Sequence, residues 1–217
     1  MNTTAAVQTA DTGGFPVMSP AQMSEYDFYL LLDSSGSMGE PSTRPGVTGT
    51  RWDEAKALGE EIAGFADEVD DDGISVITFA SSSKTFNNID RARVRDVFAQ
   101  VSPGGSTRLA GALQEAVNLR KTNGKDAFVI VLTDGEATDK KDCVDVIVNA
   151  VNELDHEKQL TFLFIQIGHD RGAAAFLDYL DDELEKNGAR FDCVDAIKSD
   201  VAESMNFGEM LGKAQVD

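Results

Sequence analysis

Apolar runs of strand length, each followed by a stretch of helical period, constrain this chain more than any other feature. FYLLL at 28–32, ISVITFA at 74–80, AFVIVL at 127–132 and LTFLFIQI at 160–167 are almost unbroken apolar segments. A strand apolar on both faces has to be covered on both faces, which is the condition of a parallel sheet between two helical layers. Helical spacing duly follows. Trp52, Ala55, Gly59, Ile62, Ala66 and Val69 recur after Thr50, a residue suited to an N-cap. Leu109, Ala112, Leu113, Ala116 and Val117 form a second face, Cys143, Ile147, Val151 and Leu154 a third, and Phe176, Leu177, Leu180 and Leu184 a fourth. SSSK turns into a short strand around Thr85 and Phe86, and residues 91–101 read as a weak helix ended by Pro103-Gly104-Gly105. A last short strand is expected at 191–194, followed by a weakly helical end.

The alternation predicts an α/β fold: a doubly wound, mostly parallel central sheet of Rossmann-like type, with one short antiparallel edge strand and helices on both faces. One domain is expected over 25–205. Residues 1–24, rich in Thr, Ala, Ser, Gly and Pro without apolar period, are expected to be a flexible tail, and 206–217 a C-terminal tail.

Charge narrows what such a domain is suited to meet. With 38 Asp and Glu against 19 Lys and Arg in 217 residues, the formal net charge is −19. The resulting field repels phosphate backbones and anionic lipid surfaces, so neither nucleic acid nor membrane is expected as a partner. Cys143 and Cys193 make no disulfide framework and have no companions at zinc-ligand spacing. The first residues lack the basic and apolar regions of a secretory signal, and the longest apolar run is too short to cross a bilayer. A cytoplasmic location is the expectation.

The residues that carry chemistry lie just beyond strands. Asp33-Ser34-Ser35-Gly36-Ser37 follows the first strand as D-x-S-x-S, Thr133-Asp134-Gly135 follows the third long run, and Gly104-Gly105-Ser106-Thr107 leads into a helix between them. In an open parallel sheet, ligands bind beyond the carboxyl ends of strands where the strand order reverses. If the first strand separates the second from the strand ending at Leu132, then Asp33 and Asp134 face each other across that switch point. Carboxylates from Asp33 and Asp134 with hydroxyls from Ser35, Ser37 and Thr107 make an oxygen-only donor set. Such a set suits Mg²⁺, and Mn²⁺ or Ca²⁺ as well. Residues i and i+2 of an extended loop point the same way, so Asp33, Ser35 and Ser37 can converge. The helix after Thr107 is expected to aim its positive end at the crevice.

FYLLLDSSGSM, GGSTRLAGAL and VLTDGEATD resemble the three parts of the metal-ion-dependent adhesion site of von Willebrand factor A domains, the fold shared with integrin I domains. The similarity runs over about residues 26–200, in the expected order. RWDEAK after the first loop and the lack of a signal peptide are similar to intracellular bacterial members, such as those associated with tellurite resistance. The resemblance implies a protein-interaction module whose metal is held by Asp33, Ser35, Ser37, Thr107 and Asp134. A partner's Asp or Glu would complete the coordination. It also raises the prospect of a mobile last helix, on which this sequence is silent.

Other readings are weaker. The run from Glu68 to Gly73 places Phe79 where a calcium loop needs its last Glu, so a solvated acidic loop is expected. His156 lies among polar residues, whereas His169 follows a buried strand on the ligand side and is a candidate for the rim. A metal-dependent hydrolase using the same pocket is the alternative function. However, an aspartyl phosphatase would want Asp at 35, where this chain has Ser, and neither G-x-S-x-G nor a P-loop occurs. With no nucleophile–base pair to nominate, an enzyme is not expected. Finally, Arg44, Arg51, Arg108, Lys140, Lys141 and Arg171 lie near the site-forming loops in sequence. They are expected to form a basic rim steering an anionic ligand, with Arg108 foremost.

Overall fold

The computed structural model describes residues 15–69 and 73–216. In chain order the elements are α1 (Pro20–Met23), β1 (Tyr26–Asp33), α2 (Arg51–Ala66), β2 (Ile74–Phe79), β3 (Ser83–Ile89), α3 (Val94–Ala99) and α4 (Ala110–Asn123). They continue as β4 (Asp126–Thr133), α5 (Lys140–Asn152), β5 (Leu160–Gln166), α6 (Arg171–Asp182), β6 (Val194–Lys198), α7 (Ser199–Ser204) and α8 (Phe207–Lys213). The six strands form one sheet in the order β3-β2-β1-β4-β5-β6, parallel except for β3. The chain therefore winds outward in one direction from β1 through β2 and in the other from β4, which places the switch point between β1 and β4.

The pleat divides the core in two. Phe28, Leu30 and Leu32 of β1 face α2 and α8, whereas Tyr29 and Leu31 face α4 and α5. Every residue of β1 is buried, as its unbroken apolar run requires. The antiparallel edge strand β3 exposes Ser83, Lys84, Asn87 and Asn88, a polar edge that discourages pairing with another sheet. Thr50 caps α2 in a reciprocal box with Asp53, fixing where that helix begins. Among the described residues, no helix is long and apolar enough to cross a membrane.

Three expectations about elements are corrected. The helix read at 91–101 is the shorter α3. The last strand is not at 191–194 but at Val194–Lys198, with Asp195 buried in an ion pair with Lys213 at 2.7 Å. A carboxylate there broke the apolar signal. Residues from 206 onward are no tail: α8 buries Phe207, Met210 and Leu211 and begins in a capping box of Asn206 with Glu209. Of the expected N-terminal tail, 1–14 lie outside the described residues, but 15–24 is anchored at two points. Met18 and Met23 are buried, and the Met18 N–H donates to the Gly208 carbonyl at 3.0 Å. Of the acidic loop, 70–72 likewise lie outside the described residues.

Candidate metal centre

Three loops meet beyond the carboxyl ends of β1 and β4, held together through their backbones. The Gly36 N–H donates to the Gly105 carbonyl at 3.1 Å, and the Gly104 N–H to the Ser34 carbonyl at 2.8 Å. The Thr138 N–H donates to the Thr107 carbonyl, also at 2.8 Å, joining the second loop to the third. Gly105 has φ of +85°, and a Cβ there would lie 2.5 Å from Ser81 Oγ. The positive φ favours glycine at this turn, and any side chain would also displace the Ser81 hydroxyl.

The loops bring Asp33, Ser35, Ser37 and Asp134 together at the β1–β4 switch point, with Thr107 on the adjoining loop. Asp33 and Asp134 are both 0% exposed. Asp33 accepts hydrogen bonds from the Ser35 N–H at 2.8 Å and from the Thr133 hydroxyl at 2.6 Å. The hydroxyls of Ser35 and Ser37 lie 3.2 Å apart, and Ser37 donates to Asp134 Oδ1 at 2.8 Å. Asp134 Oδ2 is held by Arg51 Nη1 at 2.6 Å. Thr107 is buried, its carbonyl pinned by the backbone N–H and the side chain of Thr138.

The electrostatics fit a hard cation. Burial pushes the Asp33 carboxyl up to about 6 against the pull of its bonds from Thr133 and Ser35, with nearby Asp134 adding to the rise. Among the described residues Asp33 has no cationic partner, whereas Asp134 has Arg51. A buried carboxylate without a counter-charge is costly, and a divalent ion would supply that charge. Among the described residues, no three His, Cys, Asp or Glu gather at metal-binding distance. A metal here would therefore draw on serine and threonine hydroxyls, as a small oxygen-only site does.

The surroundings differ from expectation. The N-terminus of α4 is not free to receive an anion: Asp139 accepts from the N–H groups of Leu109 at 3.0 Å and Ala110 at 3.3 Å. Arg108 is exposed, donates its backbone N–H to Ala80, and has no ion pair among the described residues. His169 is exposed, with its N–H on Thr43 Oγ1 at 2.9 Å, and His156 is exposed elsewhere. Arg51, expected at the rim, reaches the buried carboxylate itself. Thr133 was legible in the TDG segment and passed over; Asp139 gave no local signal, because its partners lie about thirty residues earlier. Glu54 was also missed: buried in α2, it accepts from Ser42 at 2.8 Å and Ser199 at 2.5 Å, tying the 40–50 loop to α7.

Known proteins share this fold. No curated protein matches the sequence. Among solved structures, the manganese-loaded TRAP protein of Plasmodium vivax is similar at 19% identity and TM-score 0.54, covering 84% of this chain and 72% of that one. A von Willebrand factor type A protein from Catenulispora acidiphila is similar at 21% identity and TM-score 0.59, covering 88% of this chain and 42% of that one. The open pilus adhesin SpaC of Lactobacillus rhamnosus GG is similar at 13% identity and TM-score 0.58, covering 87% and 29%. This chain thus spans less than half the length of the latter two. The family model described as the von Willebrand factor type A domain matches residues 28–136, from the first strand through the Asp134 loop. The chain belongs to the von Willebrand factor type A domain family.

Proposed function

We propose that this domain is a metal-dependent protein-interaction module, in which Asp33, Ser35, Ser37, Thr107 and Asp134 hold a divalent cation, Mg²⁺ foremost. The observation that carries the reading is the meeting of two fully buried carboxylates with a serine relay at the sheet's switch point. When bound, the ion would supply a Lewis-acidic position open to a carboxylate. The protein's own residues do the rest. Thr133 and the Ser35 N–H orient Asp33, and Ser37 and Arg51 orient Asp134. Three of the five donors are neutral hydroxyls and Arg51 offsets one of the two carboxylates, so positive charge is left for an Asp or Glu of the partner. The TRAP neighbour, described as manganese-loaded, supports a divalent ion in this fold, and SpaC, described as a pilus adhesin, supports an interaction role.

We place the domain in the cytoplasm, among members similar to the tellurite-resistance-associated type, on the strength of its acidic charge, its RWDEAK segment and two buried free cysteines. Calorimetric titration of the wild type with Mg²⁺ should show one bound ion, and Asp33→Ala should abolish it. Circular dichroism of that variant should remain native, because Asp33 ends β1 and its removal relieves a buried carboxylate that has no counter-charge. Partner capture should be lost with EDTA and in the same variant. Unchanged Mg²⁺ affinity in Asp33→Ala would refute the reading.

A further inference from the structure

Arg51 is the feature of the site that the donor set does not explain. It is the first residue of α2, and three contacts fix its position. Its N–H donates to the Glu40 carbonyl at 3.0 Å, Pro41 bridges Thr50, and Thr50 is locked in its capping box. From there the side chain, 13% exposed, runs past Gly168 to Asp134. Glu40 lies 3.6 Å from Nη2 at the outer side, and Nε is buried without a hydrogen-bond partner. The guanidinium reaches a carboxylate that Ser37 already holds on its other oxygen.

Resting on the metal-binding reading above, we infer that Arg51 is a specificity-determining residue that gives up cation affinity to leave the loaded site positively charged. Asp33, Asp134 and Arg51 together carry a single negative charge, Glu40 on the outer side being 65% exposed and screened by solvent. A divalent ion converts this to a single positive charge, whereas the same site without the guanidinium would become neutral. A neutral loaded site has little reason to recruit an anion, but a positive, largely buried one has a strong one. The residue also opposes the metal, because a fixed cation close to the donors repels an incoming ion. Arg51 therefore exchanges tight metal retention for affinity toward a carboxylate. It acts through Asp134 and the local field, not as a metal ligand.

Two probes separate these effects: Mn²⁺ alone, by calorimetry at pH 7.5, and acetate added to the Mn²⁺-loaded protein, followed by water-proton relaxation. Arg51→Gln should bind Mn²⁺ about tenfold more tightly than the wild type, from removal of a nearby like charge. It should respond less to acetate, because fewer metal-bound waters are displaced. Arg51→Lys, which keeps the charge and loses the planar fork, should remain near the wild type in both measurements. A purely structural role would weaken Mn²⁺ binding in both variants. Equal or weaker Mn²⁺ binding by Arg51→Gln, in a wild type that does bind, overturns the inference and leaves the metal site standing. Failure of all three proteins to bind Mn²⁺ overturns both.

Discussion

Asp181 shows how a single residue's surroundings set a pH dependence away from the candidate metal centre. It lies on α6, where Oδ2 accepts the Ala196 N–H of β6 at 3.3 Å. Burial, and then the nearby charge of Asp195, push its carboxyl up to about 7. A carboxyl whose pKa is higher in the folded state than in the unfolded one costs stability above the folded value. That cost is relieved as the pH falls from 7 toward 4. Asp181→Asn keeps an acceptor for Ala196 and removes the charge. After discounting for solvent screening at a partly exposed group, it should stabilise the fold by about 1 kcal/mol at pH 8, the gain fading between pH 7 and pH 4. Urea unfolding at both ends of that range measures this, and an equal shift at both would contradict it. At this scale local spacing accounts for Asp33, Ser35 and Ser37, at i, i+2 and i+4 of one segment, and for Asp134 just past the end of β4. It did not disclose Asp139 on the α4 amides or the reach of Arg51, because both depend on loops folded against each other.

At the scale of elements, the long runs were legible because burial on both faces leaves an unmistakable pattern. The edges were not. β6 carries Asp195 and α8 is only 7 residues long, too short to display a helical period. Besides burying Phe207, Met210 and Leu211, α8 makes close backbone contact with the segment before α1. A Cβ at Gly212 would lie 1.8 Å from the Pro16 carbonyl oxygen, and one at Gly208 would lie 2.3 Å from that of Met18. The two glycines, one helical turn apart, form a trough in which residues 16–18 lie directly on the helix. Gly212→Ala should push this segment off, costing about 1–3 kcal/mol through steric strain, and should speed limited proteolysis between residues 15 and 24. Gly111→Ala in α4 is the control, since a Cβ there meets open space. It should stabilise by about 0.5–1 kcal/mol through helix propensity alone. A Gly212→Ala protein as stable as the control would show that the segment does not rest on the helix in solution.

For the whole molecule, the fold class follows from strand–helix alternation, but the distribution of charge had to await the structure. The expected basic rim is largely neutralised within the chain. Arg44 pairs with Glu203 and Glu54, Arg51 with Asp134, Lys140 with Glu136 and Lys141 with Asp145. The net charge of −19 therefore acts with little local relief, and it acts on two processes in opposite senses. Without metal, self-repulsion opposes the compact state. Raising the salt from 0.01 to 0.15 M shortens the screening length from about 30 Å to about 8 Å, so it should raise the melting temperature by about 2–4 °C. A field of that sign also draws cations toward the surface, so the same salt increase should weaken Mn²⁺ binding. The loss in affinity should be parallel in the wild type and in Arg51→Gln, because a repulsion between close, buried charges is screened far less than the field of the distant acids. Scanning calorimetry in NaCl with EDTA, and Mn²⁺ titration at the two salt concentrations, test the pair of effects together. A melting temperature indifferent to salt would mean that the acidic groups are already balanced by local pairing. A Mn²⁺ affinity indifferent to salt would mean that the site is governed by its immediate neighbours alone.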